Sequence, residues 1–254
     1  MRVKDQVVVV TGGASGIGRA MCRRFAADGA RKVVVADRDG EGARKVAQEI
    51  GGDARQVDVA READLVALIE HTEASHGPIA LFCSNAGIGI AGGAEVADSE
   101  WQRIWEINVM SHVYAARHLV PRMAKRGGGT LLNTASAAGL LSQIGSAPYA
   151  VTKHAAVSFA EWIAITHGHA GIKVSVLCPQ AVRTPMTASN PDGVASVDGM
   201  IEPEQVAEVV TQALAEERFL VLPHPEVEQY IQRKAGDYDR WIRGMQKLRE
   251  RYEG

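Results

Sequence analysis

Residues 6–25 read QVVVVTGGASGIGRAMCRRF. The four consecutive valines Val7 to Val10 show no polar alternation, which marks a strand buried on both faces, as in a parallel sheet. The strand breaks at Gly12 and Gly13, and from Gly16 the run GIGRAMCRRFAADGA takes helical periodicity and ends near glycine. A strand that turns through glycines into a helix brings backbone amides and the positive helix end to one point, where a pyrophosphate is stabilised. Glycine also serves plain turns, so the loop alone is a weak signal; the strand before it and the helix after it strengthen the reading. Gly12, Ser15, Gly16, Ile17 and Gly18 are therefore the candidate phosphate-loop residues.

Further β-branched runs recur downstream: 32–37 (KVVVAD), 54–59 (ARQVDV), 80–87 (ALFCSNAG), 129–136 (GTLLNTAS) and 173–179 (KVSVLCP), with FLVLP as a seventh strand. Helical stretches separate them, including EGARKVAQEIGG, READLVALIEHTEASHG, two longer helices over 99–126 and 148–169, and one over 203–217. This alternation predicts an α/β fold, a three-layer, Rossmann-type, doubly wound parallel sheet of about seven strands with helices on both faces. No internal repeat or linker interrupts residues 1–254, which read as a single dinucleotide-binding and catalytic domain. Residues 185–202, rich in Pro, Gly, Ser and Asp, read as a mobile substrate loop, and 224–254 as a charged helical tail.

Two pairs invite acid/base chemistry. In APYAVTKHAA, residues 147–156, Tyr149 and Lys153 stand four apart on a helix that Pro148 helps to start, so phenol and ammonium share a face and the cation favours the phenolate. Tyr230 and Lys234 repeat the spacing in YIQRK, so spacing alone does not mean chemistry. Tyr149 is distinguished by its company: Ser136 stands thirteen residues upstream, where Tyr230 has Glu217. Tyr230 reads as the bland member, in a charged tail far from the glycine loop in sequence. Asp37 ends the second strand, where a carboxylate accepts bonds from the adenosine ribose hydroxyls and repels a 2′-phosphate. This favours NAD, with NADP kept open by Arg38 next door.

On these residues the sequence resembles the short-chain dehydrogenase/reductase family, in its single-domain subtype of roughly 250 residues, over about residues 5 to 187. The Gly-x-x-x-Gly-x-Gly spacing after Thr11 is that family's, and Asp58-Val59, Asn85-Ala86-Gly87, Asn108, Ser136, Tyr149 and Lys153 follow in order. The resemblance implies that Asp58 and Val59 bracket adenine and that Lys153 also holds the nicotinamide ribose. It implies too that Ser136 bonds the substrate oxygen, that Asn108 positions a water relaying protons through Lys153, and that Pro179 and Thr184 lie at the nicotinamide. Tyrosine, with a pKa near 10, is a poor base at neutral pH until a nearby cation depresses it, and Lys153 can supply that cation. Where the family has Pro-Gly after the sixth strand, this chain has Pro179-Gln180; Gln180 faces either the substrate or solvent.

The expected pocket is apolar: Ile88, Ile90, Ala138, Leu140, Gln143, Ile144, Met186 and Met200 fall on the motif loops. The implied reaction interconverts a hydrophobic secondary alcohol and a ketone with NAD, Ser136, Ala138, Gln143, Tyr149 and Gln180 touching the substrate. Alternatives are an NADPH-dependent carbonyl reductase and, at long odds given the intact Ser, Tyr and Lys, a non-catalytic NAD(H) sensor.

Composition narrows the partners. With 46% apolar and 23% charged residues and a net charge of −2, the chain shows no basic footprint for nucleic acid or a membrane surface. Cys22, Cys83 and Cys178 are an odd, scattered set, against a disulfide framework and for a reducing cytoplasm. The apolar stretch of MRVKDQVVVVTGG is too short for a signal peptide or membrane span. His71, His76, His167 and His169 lie near one another in pairs without a carboxylate or thiol in a ligand pattern, so they read as solvated and no metal is expected. Trp241, Ile242, Met245 and Leu248 give the tail an apolar stripe, whose default is docking on its own domain, with cover for a neighbour's active site as the alternative. A homodimer, through the two long helices, or a homotetramer is expected, and the departing tail argues against the tail contact by which the family usually builds tetramers.

Overall fold

The computed structural model describes residues 1–188 and 192–253. Residues 189–191, inside the loop expected over 185–202, and Gly254 at the end of the tail lie outside the described residues. The strands are β1 (Val7–Thr11), β2 (Lys32–Asp37), β3 (Asp53–Gln56), β4 (Ile79–Ser84), β5 (Gly129–Thr134), β6 (Ile172–Leu177) and β7 (Leu220–Val221). They form one parallel sheet in the order β3-β2-β1-β4-β5-β6-β7, the doubly wound arrangement expected. The order reverses between β1 and β4, and beyond the carboxyl ends of those strands such a sheet leaves a crevice.

The uninterrupted valines of β1 are explained by two cores. Val7 and Val9 pack with Leu68 and Ile69 of α3 (Glu62–His76), Leu119 and Met123 of α5 (Ser111–Lys125), and Ala160 and Ile163 of α6 (Ala147–His167). Val8 and Val10 face the other way, onto Met21 and Phe25 of α1 (Gly16–Ala27), Val46 of α2 (Gly40–Ile50), and Val206 and Val210 of α7 (Pro203–Ala215). All four valines are fully buried, and successive side chains alternate between the two layers because a strand has period two.

Several boundaries differ from expectation, each for a local reason. The helix expected over 99–126 is α4 (Asp98–Trp105), a π turn (Glu106–Met110) and α5; the wide turn carries Asn108, whose side chain leaves the helix to pair with the main chain of Ile88. β4 stops at Ser84 because the amides of Asn85 and Ala86 turn onto Thr11 Oγ1, at 2.9 and 3.1 Å. β5 ends at Thr134, and Ser136 caps the short 3₁₀ turn Ala137–Gly139 instead of closing the strand.

His71 and His76 are not solvated without a carboxylate. Both direct Nε2 at Oδ2 of Asp53, at 3.1 and 3.0 Å; the companion sits 18 and 23 residues away in sequence, on β3. The tail forms α8 (Glu226–Gly236) and α9 (Tyr238–Glu253), and it rests on its own chain. Val227, Tyr230, Ile231 and Trp241 close over Ala137, Leu140 and Leu141. Among the described residues no helix is long and apolar enough to cross a membrane.

The crevice depends on close backbone approach at Gly18, where a Cβ would lie 2.0 Å from the Gly12 carbonyl oxygen. Gly18→Ala should therefore destabilise the fold by about 1–3 kcal/mol through overpacking, read from denaturant unfolding. An unchanged midpoint would mean that the loop swings away without cost.

Candidate active site

A cleft of ≈ 1840 Å³ runs along the carboxyl ends of the strands. Gly12, Ser15, Gly16, Ile17, Gly18, Asp37, Arg38, Asp58 and Val59 line one end of it; Asn85, Ala86, Gly87, Ser136, Tyr149, Lys153, Pro179 and Thr184 line the middle. Ile88, Ile90, Ala138, Gln143, Ile144, Gln180 and Met186 line the remainder. Leu140 and Met200 do not line it: Leu140 packs beneath the tail, and Leu141 takes the place expected for it.

At the glycine loop, α1 begins at Gly16 with no side chain capping its first amides and no acidic residue in its first turn, which leaves its positive end free for an anion. Asp37 is fixed opposite, Oδ2 accepting from Ala14 N at 3.0 Å and Oδ1 from Asp39 N at 2.9 Å. A carboxylate has about four lone-pair sites, so acceptor capacity remains on each oxygen. Thr184 reaches back across the cleft: a Cβ on Gly16 would stand 3.0 Å from its methyl carbon.

In the middle, four elements are bonded together through side chains that the sequence reading only partly identified. Thr11 Oγ1 donates to Cys83 O and Asn85 Nδ2 donates to Thr11 O, at 3.2 and 3.0 Å. Thr134 Oγ1 donates to Asn85 Oδ1 at 3.1 Å, and Lys153 Nζ donates to Thr134 O at 3.0 Å. Thr134 was missed because a threonine closing a buried strand has no distinguishing neighbour in sequence. Asn108 is fully buried behind the cleft wall, accepting from Ile88 N and donating to Ile88 O, both at 2.9 Å, and donating to Thr152 Oγ1 at 3.2 Å. Its carboxamide braces the segment after β4 from behind; a Cβ on Gly87 would lie 3.2 Å from Asn108 Oδ1 and 3.3 Å from Lys153 Nζ.

Electrostatically the pair departs from the simple expectation. Lys153 is almost wholly buried and burial lowers its pKa to about 8. Its ammonium lies 5.6 Å from the Tyr149 ring centroid, above the ring, and is spent on the Thr134 carbonyl. Burial accordingly raises the Tyr149 phenol, with the Ser136 hydroxyl working the other way. Ser136 is itself oriented, donating to Pro179 O at 3.3 Å and accepting from Ala138 N at 3.1 Å.

Tyr230, read as the bland double, lines the same cleft together with Trp241, Met245 and Leu248. Its hydroxyl donates to Asp198 Oδ1 at 2.8 Å, and Gln180 Nε2 donates to Asp198 Oδ2 at 3.0 Å, so Gln180 faces the loop instead of open solvent. Lys234 does not serve Tyr230 as a partner; its Nζ donates to Leu140 O at 2.6 Å. The tail pair is thus a clamp over the cleft, invisible in sequence because its partners lie 32 and 94 residues away.

The short chain dehydrogenase family matches residues 6–195. This chain belongs to that family. The dehydrogenase is 37% identical over 238 residues to 1-deoxy-11-beta-hydroxypentalenate dehydrogenase of Streptomyces exfoliatus, covering 89% of this chain and 86% of the relative. It is 32% identical to meso-2,3-butanediol dehydrogenase of Serratia marcescens, covering 83% and 87%. A short-chain dehydrogenase/reductase from Burkholderia phymatum, solved in complex with NAD, superposes with a TM-score of 0.86 at 27% identity, covering 94% of this chain and 96% of that one. The fold and family make this dehydrogenase an oxidoreductase.

Behind the cleft of the dehydrogenase, buried His112 has its pKa pushed down to about 3, by burial first and then by the charge of Lys153. Unfolding restores the ordinary value of 6.5, so below that pH the unfolded chain binds a proton that the folded chain refuses. Stability therefore falls as pH drops through 6.5 and continues to fall toward 3. By about pH 5 the site costs about 2 kcal/mol, and buried His224, also lowered by burial, acts in the same direction. His112→Leu should flatten the slope of unfolding free energy between about pH 5 and pH 6.5 by up to about 1.4 kcal/mol per pH unit. An unchanged slope would count against a neutral buried imidazole.

Proposed function

We propose that the chain is an NAD(H)-dependent oxidoreductase that interconverts a hydrophobic secondary alcohol and a ketone. The observation carrying this reading is the convergence of Ser136, Tyr149 and Lys153 at the middle of one cleft whose end holds the uncapped start of α1 and the oriented carboxylate of Asp37. The nicotinamide dinucleotide, when bound, accepts or supplies the hydride. Gly12, Ser15, Gly16, Ile17 and Gly18 would hold its pyrophosphate, Asp37 its adenosine ribose, and Asp58 and Val59 its adenine. Asn85, Ala86, Gly87, Lys153, Pro179 and Thr184 would seat the nicotinamide end.

The chain's own residues then manage one proton. Ser136, still accepting from Ala138 N, turns its one hydroxyl proton from the Pro179 carbonyl to the substrate oxygen and sets it beside Tyr149. Tyr149 gives its phenolic proton to the nascent alkoxide in reduction and takes the hydroxyl proton in oxidation. Lys153, over the face of the ring, lowers the cost of the phenolate, and Asn108 holds the Ile88 segment in place. Because burial keeps the free phenol protonated, alcohol oxidation, which needs the base form, should rise with pH toward the alkaline side.

Apolar side chains at Ile88, Ile90, Leu141, Ile144, Met186 and Trp241 support a hydrophobic substrate, and the relatives named for a hydroxypentalenate and for butanediol are dehydrogenases of hydroxylated carbon compounds. A second reading, an NADPH-dependent carbonyl reductase, is favoured by Arg38 on the cleft wall beside Asp37.

Fluorescence titration with NADH and NADPH, then a panel of alcohols and ketones followed by nicotinamide absorbance, separates the readings. Tighter binding of NADH and turnover of apolar secondary alcohols are expected; a large preference for NADPH would overturn the role given to Asp37. Tyr149→Phe should lower kcat by at least about 10²–10⁴-fold while NADH affinity stays within a few fold. Tyr230→Phe should leave the chemical step in place.

A further inference from the structure

We propose that Asp53, His71 and His76 form a binding site for a borderline divalent cation, Zn²⁺ being the best match, separate from the catalytic cleft. Asp53 opens β3, the edge strand of the sheet; His71 lies in α3 and His76 is that helix's last residue. The cleft gathers at the carboxyl ends of the strands, whereas Asp53 stands at the amino end of its own.

The donors are already gathered. Nε2 of His71 and Nε2 of His76 stand 3.1 and 3.0 Å from the same oxygen, Asp53 Oδ2, and one ligand atom from each residue lies within 4.8 Å of the others. A tetrahedral Zn²⁺ with bonds of about 2.0–2.2 Å keeps its ligands about 3.4 Å apart, so small side-chain rotations suffice to admit it. The two rings stand edge to face, 6.2 Å between centroids, so their Nε2 atoms approach the carboxylate from different directions.

The chemistry of the set selects the ion. Two imidazoles and one carboxylate suit Zn²⁺ and its neighbours in the first transition row, whereas Mg²⁺ and Ca²⁺ require an all-oxygen shell. Burial opposes ionisation of Asp53, but the bonds from His76 and His71 outweigh it and hold the carboxyl below its ordinary value, so the ligand is anionic at neutral pH. Its other oxygen accepts from Ala54 N at 2.8 Å, which fixes the carboxylate plane. Side-chain exposures of 31% for His71, 21% for His76 and 28% for Asp53 leave room for water as a fourth ligand. One cation works against the site: Arg31 Nη2 donates to the His76 carbonyl at 2.9 Å and so stands at the same helix end. Arg31 also orders the end of α3 on which His76 sits.

At present Asp53 Oδ2 accepts an Nε2–H from each ring; the metal takes the place of those bonds, with the ring protons moving to Nδ1 or, from any imidazolium, to solvent. Binding ties the edge strand to the end of α3 and stabilises the folded chain by mass action.

The test uses the full chain, stripped with a chelator and passed over a chelating resin. Calorimetric titration with ZnCl₂ at neutral pH should give one site per chain with a Kd of about 10⁻⁵ M or below, and excess Zn²⁺, unlike Mg²⁺, should raise the midpoint of thermal unfolding. His71→Gln and His76→Gln, which can still donate to Asp53, should each weaken Zn²⁺ at least about 10-fold, as should Asp53→Asn. If a variant fails to fold, Co²⁺ added to the unaltered chain is decisive, because a tetrahedral nitrogen/oxygen site gives an intense visible band that Zn²⁺ abolishes. Millimolar affinity, unchanged affinity in His76→Gln, or Co²⁺ spectra of the hexahydrated ion would each overturn the site.

Discussion

The bond from Lys153 Nζ to the Thr134 carbonyl ties together the elements that meet at the middle of the cleft. It pins the second turn of α6 to the end of β5, and through Thr134 Oγ1, Asn85 and Thr11 it continues into β4 and β1. A buried ammonium is costly unless hydrogen-bonded, so the carbonyl is a requirement of the lysine's position as much as a consequence of it. With Asn85 and Thr11 that contact ties the turn of α6 that carries Lys153 to the strand that feeds the glycine loop. The chemistry and the phosphate site are thereby built on one rigid frame.

What the sequence made legible follows from local constraint. Val7 to Val10 announce a strand between two layers because no exposed position interrupts them, and Gly18 marks a close approach of backbones that any Cβ would block. Ser136, Tyr149 and Lys153 could be read from their spacing and order. Contacts set by the tertiary fold were harder to see: the π turn around Asn108, the pairing of Asp53 with two histidines, and the docking of the tail all join residues that carry no mutual signal along the chain. The environment of the Tyr149 phenol is likewise set by the tertiary fold. Helical spacing brings the lysine near, while burial, which the spacing does not reveal, raises the phenol.

The two ends of the cleft are held in different ways. At the dinucleotide end the glycine loop and Asp37 are placed by strand ends, and their partners are mostly main-chain amides. At the other end Asp198 receives a bond from Gln180, just beyond β6, and another from Tyr230 on α8, while Lys234 holds the tail to Leu140. These are side-chain contacts between a loop, a turn and a helix, with Asp198, Tyr230 and Lys234 all outside the sheet.

That division has a consequence for how the protein can vary. Substituting Trp241 or Met245 reshapes the far wall without touching a strand, because both sit on α9, which meets the body of the fold through the small apolar cluster around Leu141 and Val227. Substituting Thr134 or Asn85 disturbs the ends of β1, β4 and β5 together, since the two side chains carry the bonds between them, next to the Thr134 carbonyl that holds Lys153 of α6. On the proposed function, proton transfer would be bound to the stability of the sheet, and the choice of substrate to a tail that can be remodelled at little cost to it.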